Sequence, residues 1–142
     1  MRVGASTGLA SLNLGTDNAS FGYGGTGKKS HGGSFENYGQ TFGEGDVIGC
    51  IIDWNELALS FTKNGRNLGV AFELPKNIQK QGLFPALTIK NAVVRVSFKR
   101  DTMKFLPIDG VVPYSEASPT FLRRKSLGNA PEPVLIRAFF SS

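Results

Sequence analysis

In this 142-residue chain the run Gly22-Tyr23-Gly24-Gly25-Thr26-Gly27-Lys28-Lys29 comes nearest to carrying chemistry. A glycine-rich loop ending in lysine cradles phosphate when a strand leads into it and a helix follows. Backbone amides and the helix dipole then converge on the anion. Here Lys29 stands where a Ser or Thr would have to reach magnesium, and Ser30-His31-Gly32-Gly33 would break a helix at once. The run reads as a turn with surface lysines, and a nucleoside-triphosphatase site is rejected.

His31 and Cys50 are the only residues of their kinds. A metal site built on one histidine would need carboxylates or Cys50 at ligand spacing, and the sequence offers none. A Cys50–His31 nucleophile pair would need an accessible thiol. Cys50 instead sits inside Val47-Ile48-Gly49-Cys50-Ile51-Ile52, where a thiol is inert core filling. Glu44 and Asp46 precede that strand, and Asp53, Asn55 and Glu56 follow it, as ordinary turn formers. No catalytic, cofactor-binding or metal-ligating residue is assigned.

Two features remain as a candidate partner or RNA surface. One is the basic set Lys28, Lys29, Lys63, Arg66, Arg95, Lys99 and Arg100, in which Lys63 and Arg66 flank one hairpin tip and Arg95 and Lys99 share a strand face. Spacing alone does not say whether they converge. The other is Tyr38, with Tyr23, in an aromatic-bearing loop: a recognition contact if exposed, a core anchor if not. The excess of 16 Lys+Arg over 11 Asp+Glu, a formal +5, favours acidic partners, nucleic acid among them. Arg123-Arg124-Lys125-Ser126 reads as solvated tail, open to a targeting or phosphorylation role.

The elements that would position these residues are strands. Val47–Asp53 is apolar on both faces, as a central strand covered on both sides would be. Leu57–Thr62 alternates Leu57, Leu59 and Phe61 with smaller residues, and Asn64-Gly65 then supplies the two positive-φ positions of a type I′ hairpin. Further strands are predicted at Leu68–Phe72, Leu83–Ile89 and Val93–Phe98, with a polar crossover from Glu73 to Gln81 and no sustained helical period. Residues 15–45 read as a long loop, and the chain from Pro107 onward reads as an extended tail. The length suits one domain with a core of its own. A single cysteine and the lack of a signal-peptide core or a membrane-length apolar run point to a cytosolic or nuclear setting, and Asn18-Ala19-Ser20 is then a chance sequon.

Taken together, Arg2-Val3-Gly4-Ala5-Ser6, Gly45-Asp46-Val47-Ile48-Gly49-Cys50, Asp53, Leu59-Ser60-Phe61-Thr62-Lys63-Asn64-Gly65, Leu83-Phe84-Pro85-Ala86 and Val94-Arg95-Val96-Ser97-Phe98 resemble the SPRY domain in order and spacing. Ser11-Leu12-Asn13-Leu14-Gly15-Thr16-Asp17, Phe21 to His31 and Phe35-Glu36-Asn37-Tyr38-Gly39 are similar, more narrowly, to the SPRY insert of a DEAD-box RNA helicase. Asn129-Ala130-Pro131 with Val134-Leu135-Ile136 resembles the return to that enzyme's RecA-like lobe.

The resemblance implies an all-β, antiparallel sandwich of the B30.2-like, concanavalin-like kind over residues 1–110, lacking its first strands, and a tail over 111–142. It implies a non-catalytic module that binds protein partners through its loops. The full-length helicase would use ATP and magnesium in RNA processing in the nucleus or cytoplasm; neither cofactor is expected here. RNA binding through the basic face and substrate recognition for a ubiquitin ligase are the alternatives. Two departures stand out: Ala5 occupies the family's tryptophan position, and Arg137-Ala138-Phe139-Phe140 replaces the helicase continuation. A truncated or alternative gene product is expected, marginal in stability or self-associating, because missing strands expose pairing edges.

Overall fold

The computed structural model describes residues 1–105, 111–116 and 134–141. In chain order its strands are β1 (Arg2–Ser6), β2 (Ser20–Gly24), β3 (Lys28–His31), β4 (Ser34–Asn37), β5 (Val47–Asp53), β6 (Ala58–Lys63) and β7 (Arg66–Glu73). One helical turn, α1 (Ile78–Gln81), precedes β8 (Phe84–Thr88), β9 (Val93–Ser97), β10 (Val112–Pro113) and β11 (Val134–Ser141). The first sheet runs β4-β3-β2-β1-β8 and the second β10-β11-β5-β6-β7, with β9 paired to β11. Among the described residues all pairings are antiparallel except β10 with β11. The expected all-β sandwich is what forms.

Period-two alternation decides which side chains enter the interlayer core. From the first sheet come Val3, Ala5, Phe21 and Tyr23; from the second come Ile48, Cys50, Ile52, Leu59 and Phe61, all buried. Register aligns them, with Tyr23 opposite Val3 and Phe61 opposite Cys50. The Tyr23 ring lies 5.2 Å from that of Phe61 and 4.9 Å from that of Phe42. Trp54, Leu74, Ile78 and Leu83 belong to the same core, which gives the single turn α1 its buried anchor at Ile78. Asn64 and Gly65 both have positive φ, 50° and 84°, as the type I′ turn requires.

Both outer faces carry a covering strap. Residues 7–19 cross the first sheet. Leu14 is buried there, its N–H donating to the Thr88 hydroxyl (2.9 Å) and its carbonyl accepting from Arg2 (3.0 Å). The space comes from glycine: a Cβ on Gly22 would meet Leu14 Cγ at 3.2 Å. On the second sheet Met103 and Val111 pack against Ile51, so β5 is covered on both sides as its sequence suggested. Phe98 leans on Tyr114 (5.5 Å), and the Ser115 N–H donates to the Phe98 carbonyl (3.0 Å).

Two expectations are corrected. Residues 15–45 are not one loop but supply β2, β3 and β4. Gly22 and Gly24 break the apolar alternation of β2, and β3 and β4 are short and mostly polar, so no local period marks them. The segment read as an extended tail supplies β10 and β11, and β11 pairs with both β5 and β9. Pairing of that kind is set by partners far away in sequence. Arg123, Arg124, Lys125, Ser126 and Asn129-Ala130-Pro131 lie outside the described residues.

Crowding between β1 and β2 is testable. A Cβ on Gly4 would fall 1.9 Å from the Phe21 carbonyl oxygen, whereas one on Gly8 would meet nothing within 4 Å. Gly4→Ala is expected to destabilise the fold by about 2 kcal/mol or more, the range of an overpacked site. Gly8→Ala should stay within about 0.5 kcal/mol. Urea unfolding of the two variants beside the parent chain checks both.

Candidate interaction surface

The groups that could have done chemistry are each occupied structurally. Cys50 is fully buried, and burial pushes its thiol up to about 12, far from a reactive thiolate. His31 stacks on Phe21, ring centroids 4.2 Å apart and planes within 3°, with Nδ1 2.9 Å from the Ser20 carbonyl. Asp53 receives the N–H groups of Asn55 (2.9 Å) and Glu56 (3.1 Å), holding the turn between β5 and β6. After Gly24 the chain turns at Gly27, whose N–H donates to the Gly24 carbonyl (2.9 Å), and enters β3 instead of a helix. Among the described residues no cluster of three His, Cys, Asp or Glu side chains could hold a metal, and no helix is long and apolar enough to cross a membrane.

The basic residues are distributed over different faces. Lys28 and Lys29 are consecutive on β3 and point to opposite sides of the sheet. Lys28 is exposed. Lys29 turns inward: its Nζ donates to the Ala71 carbonyl (2.9 Å), sits 3.6 Å from Glu36 and lies 5.5 Å from the Phe72 ring centroid. Lys63 donates to the Thr41 carbonyl (2.8 Å) and pairs with Asp46 (3.4 Å). Arg100 forms a two-pronged pair with Glu116, at 2.8 and 3.1 Å. Arg66, Arg95 and Lys99 are exposed, Arg66 at the β6–β7 hairpin and Arg95 on β9. Lys28 belongs to one sheet and Arg66 and Arg95 to the other.

Tyr38 is a structural clamp. Its hydroxyl donates to the Gly69 carbonyl (2.5 Å) and accepts from the Phe61 N–H (3.2 Å), tying the chain after β4 to β6 and β7. Burial pushes both phenols, Tyr23 and Tyr38, up to about 12, so they stay neutral donors. Tyr23 spends its hydrogen on the Gln40 carbonyl.

The strap on the first sheet carries what the sequence reading passed over. Leu9 is 87% exposed and Leu12 95% exposed, while Leu14 two residues on is buried. The backbone that holds them outward is pinned by Asp17, which accepts from the Ser11 N–H (2.6 Å), the Ala19 N–H (2.9 Å) and the Ser20 hydroxyl (2.8 Å). Thr88 accepts from Leu14 N–H and donates to the Leu12 carbonyl (3.1 Å), fixing the strap to β8. Phe84 on β8, 52% exposed, lies opposite Ser6 in the ladder. Phe35 on β4 is also partly exposed, with the Arg2 guanidinium 4.9 Å from its ring centroid. Three leucines, Leu9, Leu12 and Leu14, inside an otherwise small and polar stretch were the available signal.

Two packed sheets with pinned straps define a β-sandwich that holds its connecting loops still. The family model described as SPRY domain matches residues 1–101, and the chain belongs to that family. Its sequence is 49% identical over 118 residues to "ATP-dependent RNA helicase Ddx1" of Drosophila melanogaster, covering 83% of this chain and 16% of that protein. It is 43% identical over 147 residues to "ATP-dependent RNA helicase DDX1" of Xenopus laevis, covering 95% and 20%. A third relative, "Heterogeneous nuclear ribonucleoprotein U-like protein 2" of Mus musculus, is 44% identical over 110 residues, covering 75% and 15%. The chain thus spans a fifth or less of the length of these relatives.

The strap's acid sensitivity follows from Asp17. The Ser11 N–H bond, helped by Ser20 and Ala19 and opposed by partial burial, lowers its pKa from 3.8 to about 2. A depressed carboxylate pKa stabilises the fold above the unfolded value and ceases to do so as pH falls through the folded one. Asp46 acts in the same direction: burial raises its pKa, but Asn64, Gly43 and Lys63 outweigh that. Thermal stability should fall between about pH 4 and pH 2, less steeply in Asp17→Asn. Equal slopes in scanning calorimetry would contradict this.

Proposed function

We propose that this chain is a non-catalytic protein-interaction module, needing no cofactor of its own, that serves RNA-directed machinery in the nucleus or cytoplasm. The observation that carries the reading is the pair Leu9 and Leu12, held almost fully in solvent by a strap with a hydrogen-bonded backbone. Exposed apolar side chains on a fixed backbone lose little conformational freedom on binding, so their burial against a partner is converted efficiently into affinity. The partner would be a protein segment offering apolar side chains to this surface. The inert settings of Cys50 and His31 support a role without chemistry. The RNA setting rests on the similarity to the helicase relatives and comes to this chain by analogy.

The basic residues supply the competing reading, RNA binding. Their scatter over two sheets, and the ion pairs of Lys29, Lys63 and Arg100, make a continuous phosphate-tracking groove the weaker alternative.

Peptides selected from a random library on the immobilised full chain, measured by fluorescence anisotropy, separate the two. The module reading expects binding that changes little between about 50 and 200 mM salt and weakens about tenfold or more in Leu9→Ser/Leu12→Ser. A single-stranded RNA probe would lose about 20-fold in affinity over that range if three phosphates were neutralised. Tight RNA binding with such a slope, abolished by Lys28→Ala/Arg95→Ala/Lys99→Ala while the leucine variant binds normally, would replace the module reading.

A further inference from the structure

Among the described strands, β9 reaches the second sheet through β11 alone. One edge of β11 pairs with β5, from Val134 opposite Ile52 to Phe139 opposite Val47. The other edge pairs with β9, from Arg137 opposite Ser97 to Ser141 opposite Val93. A single segment therefore fills a slot between two strands that do not pair with each other. Emptied, the slot would bare the backbone donors and acceptors of residues 47–52 and 93–97, in a setting where Ile48, Cys50 and Ile52 are buried. Unpaired backbone groups at such a site are costly, so the slot demands a strand.

That demand is for an antiparallel ladder on both sides, and it is the same whichever chain supplies it. Residues 117–133 join Glu116 to Val134. A segment of that length reaches at most about 60 Å when extended, enough to cross to a neighbouring molecule of this size. We propose that the slot between β5 and β9 is an interaction surface for a second copy of this chain, which inserts its own residues 134–141 in place of the resident ones. Reciprocal insertion fills both slots and leaves no new edge, giving a closed two-fold dimer in preference to a filament.

Concentration decides between the two arrangements. Being part of the same chain, the resident strand stands at an effective concentration in about the millimolar range, so the closed monomer prevails in dilute solution. Refolding near that concentration lets a neighbour's strand arrive first. Dilution does not readily reverse the exchange, because leaving the slot breaks two ladders at once. This inference is independent of the protein-interaction reading above.

The native Cys50 provides the test. It is the only cysteine and stands directly opposite Ile136. Facing Cα atoms in an antiparallel pair lie about 4.5–5.5 Å apart, within disulfide reach. The full-length Ile136→Cys variant is refolded at about 1 µM and at about 1 mM, oxidised, diluted, and examined by non-reducing gel and light scattering. The expected result is an internally linked monomer from the dilute sample and a disulfide-linked dimer of doubled mass from the concentrated one. An internal link at both concentrations would overturn the proposal, as would failure of position 50 to link with position 136 at either. Should that variant fail to fold, Cys50→Ser/Ile48→Cys/Ala138→Cys repeats the test at the register pair Ile48 and Ala138, with the same outcomes read the same way.

Discussion

Everything in this fold leans on β5. Its inward residues Ile48, Cys50 and Ile52 meet Val3, Phe21 and Tyr23 across the sandwich, and its outward residue Ile51 lies under Met103. Its edges are engaged too, by β6 on one side and β11 on the other. Being apolar on both faces, the strand is stable only when both are covered, so the strap from Lys99 onward is part of the core and not an accessory. Truncating a large buried aliphatic in such a place costs about 2–5 kcal/mol, a large share of a small domain's net stability. The single thiol at the middle of this strand is explained by the same constraint: it fills volume, and burial keeps it protonated.

Covering the outer faces has a second consequence, which bears on recognition. On the first sheet the strap approaches closely because glycine occupies position 22 and leaves room for Leu14. Asp17 and Thr88 then complete the backbone hydrogen bonding of the strap, so that Leu9 and Leu12 project from a framework that does not need them for its own packing. Most of the polar side chains that might have served chemistry serve this scaffolding instead. Asp46 joins the start of β5 to the β6–β7 hairpin through Asn64 and Lys63, and Tyr38 ties β4 to the other sheet. Membership of the SPRY family agrees with such a division between a dry core and presented loops.

The central strands were legible because their period is local. Val47–Asp53 was read at its observed bounds, and the Asn64-Gly65 turn carried its own geometry. β2 to β4 were not legible: glycines replace side chains where the strap passes, and the strand Lys28–His31 and the edge strand Ser34–Asn37 are short and mostly polar, so neither alternation nor propensity marks them. β11 was read as tail because its partners lie from 40 residues (Arg137 to Ser97) to 92 residues (Phe139 to Val47) away in sequence, beyond any local window. For the candidate surface, composition gave the number of cations but not their directions. Strand register puts Lys28 and Lys29 on opposite sides, and ion pairs absorb Lys29, Lys63 and Arg100. Leu9 and Leu12 were not singled out as surface contacts because an apolar residue in a loop looks the same in sequence whether it is tucked in, as Leu14 is, or held out.

Amide hydrogen exchange on the full chain, resolved to individual strands, tests the role of β5 most directly. Local stability rises with burial and with pairing on both edges, so the amides of Ile48 to Ile52 should be among the last to exchange, with those of β6, and far slower than the solvent-facing amides of β4. Exchange of β5 as fast as that of β4 would contradict a fold organised around a strand covered on both faces.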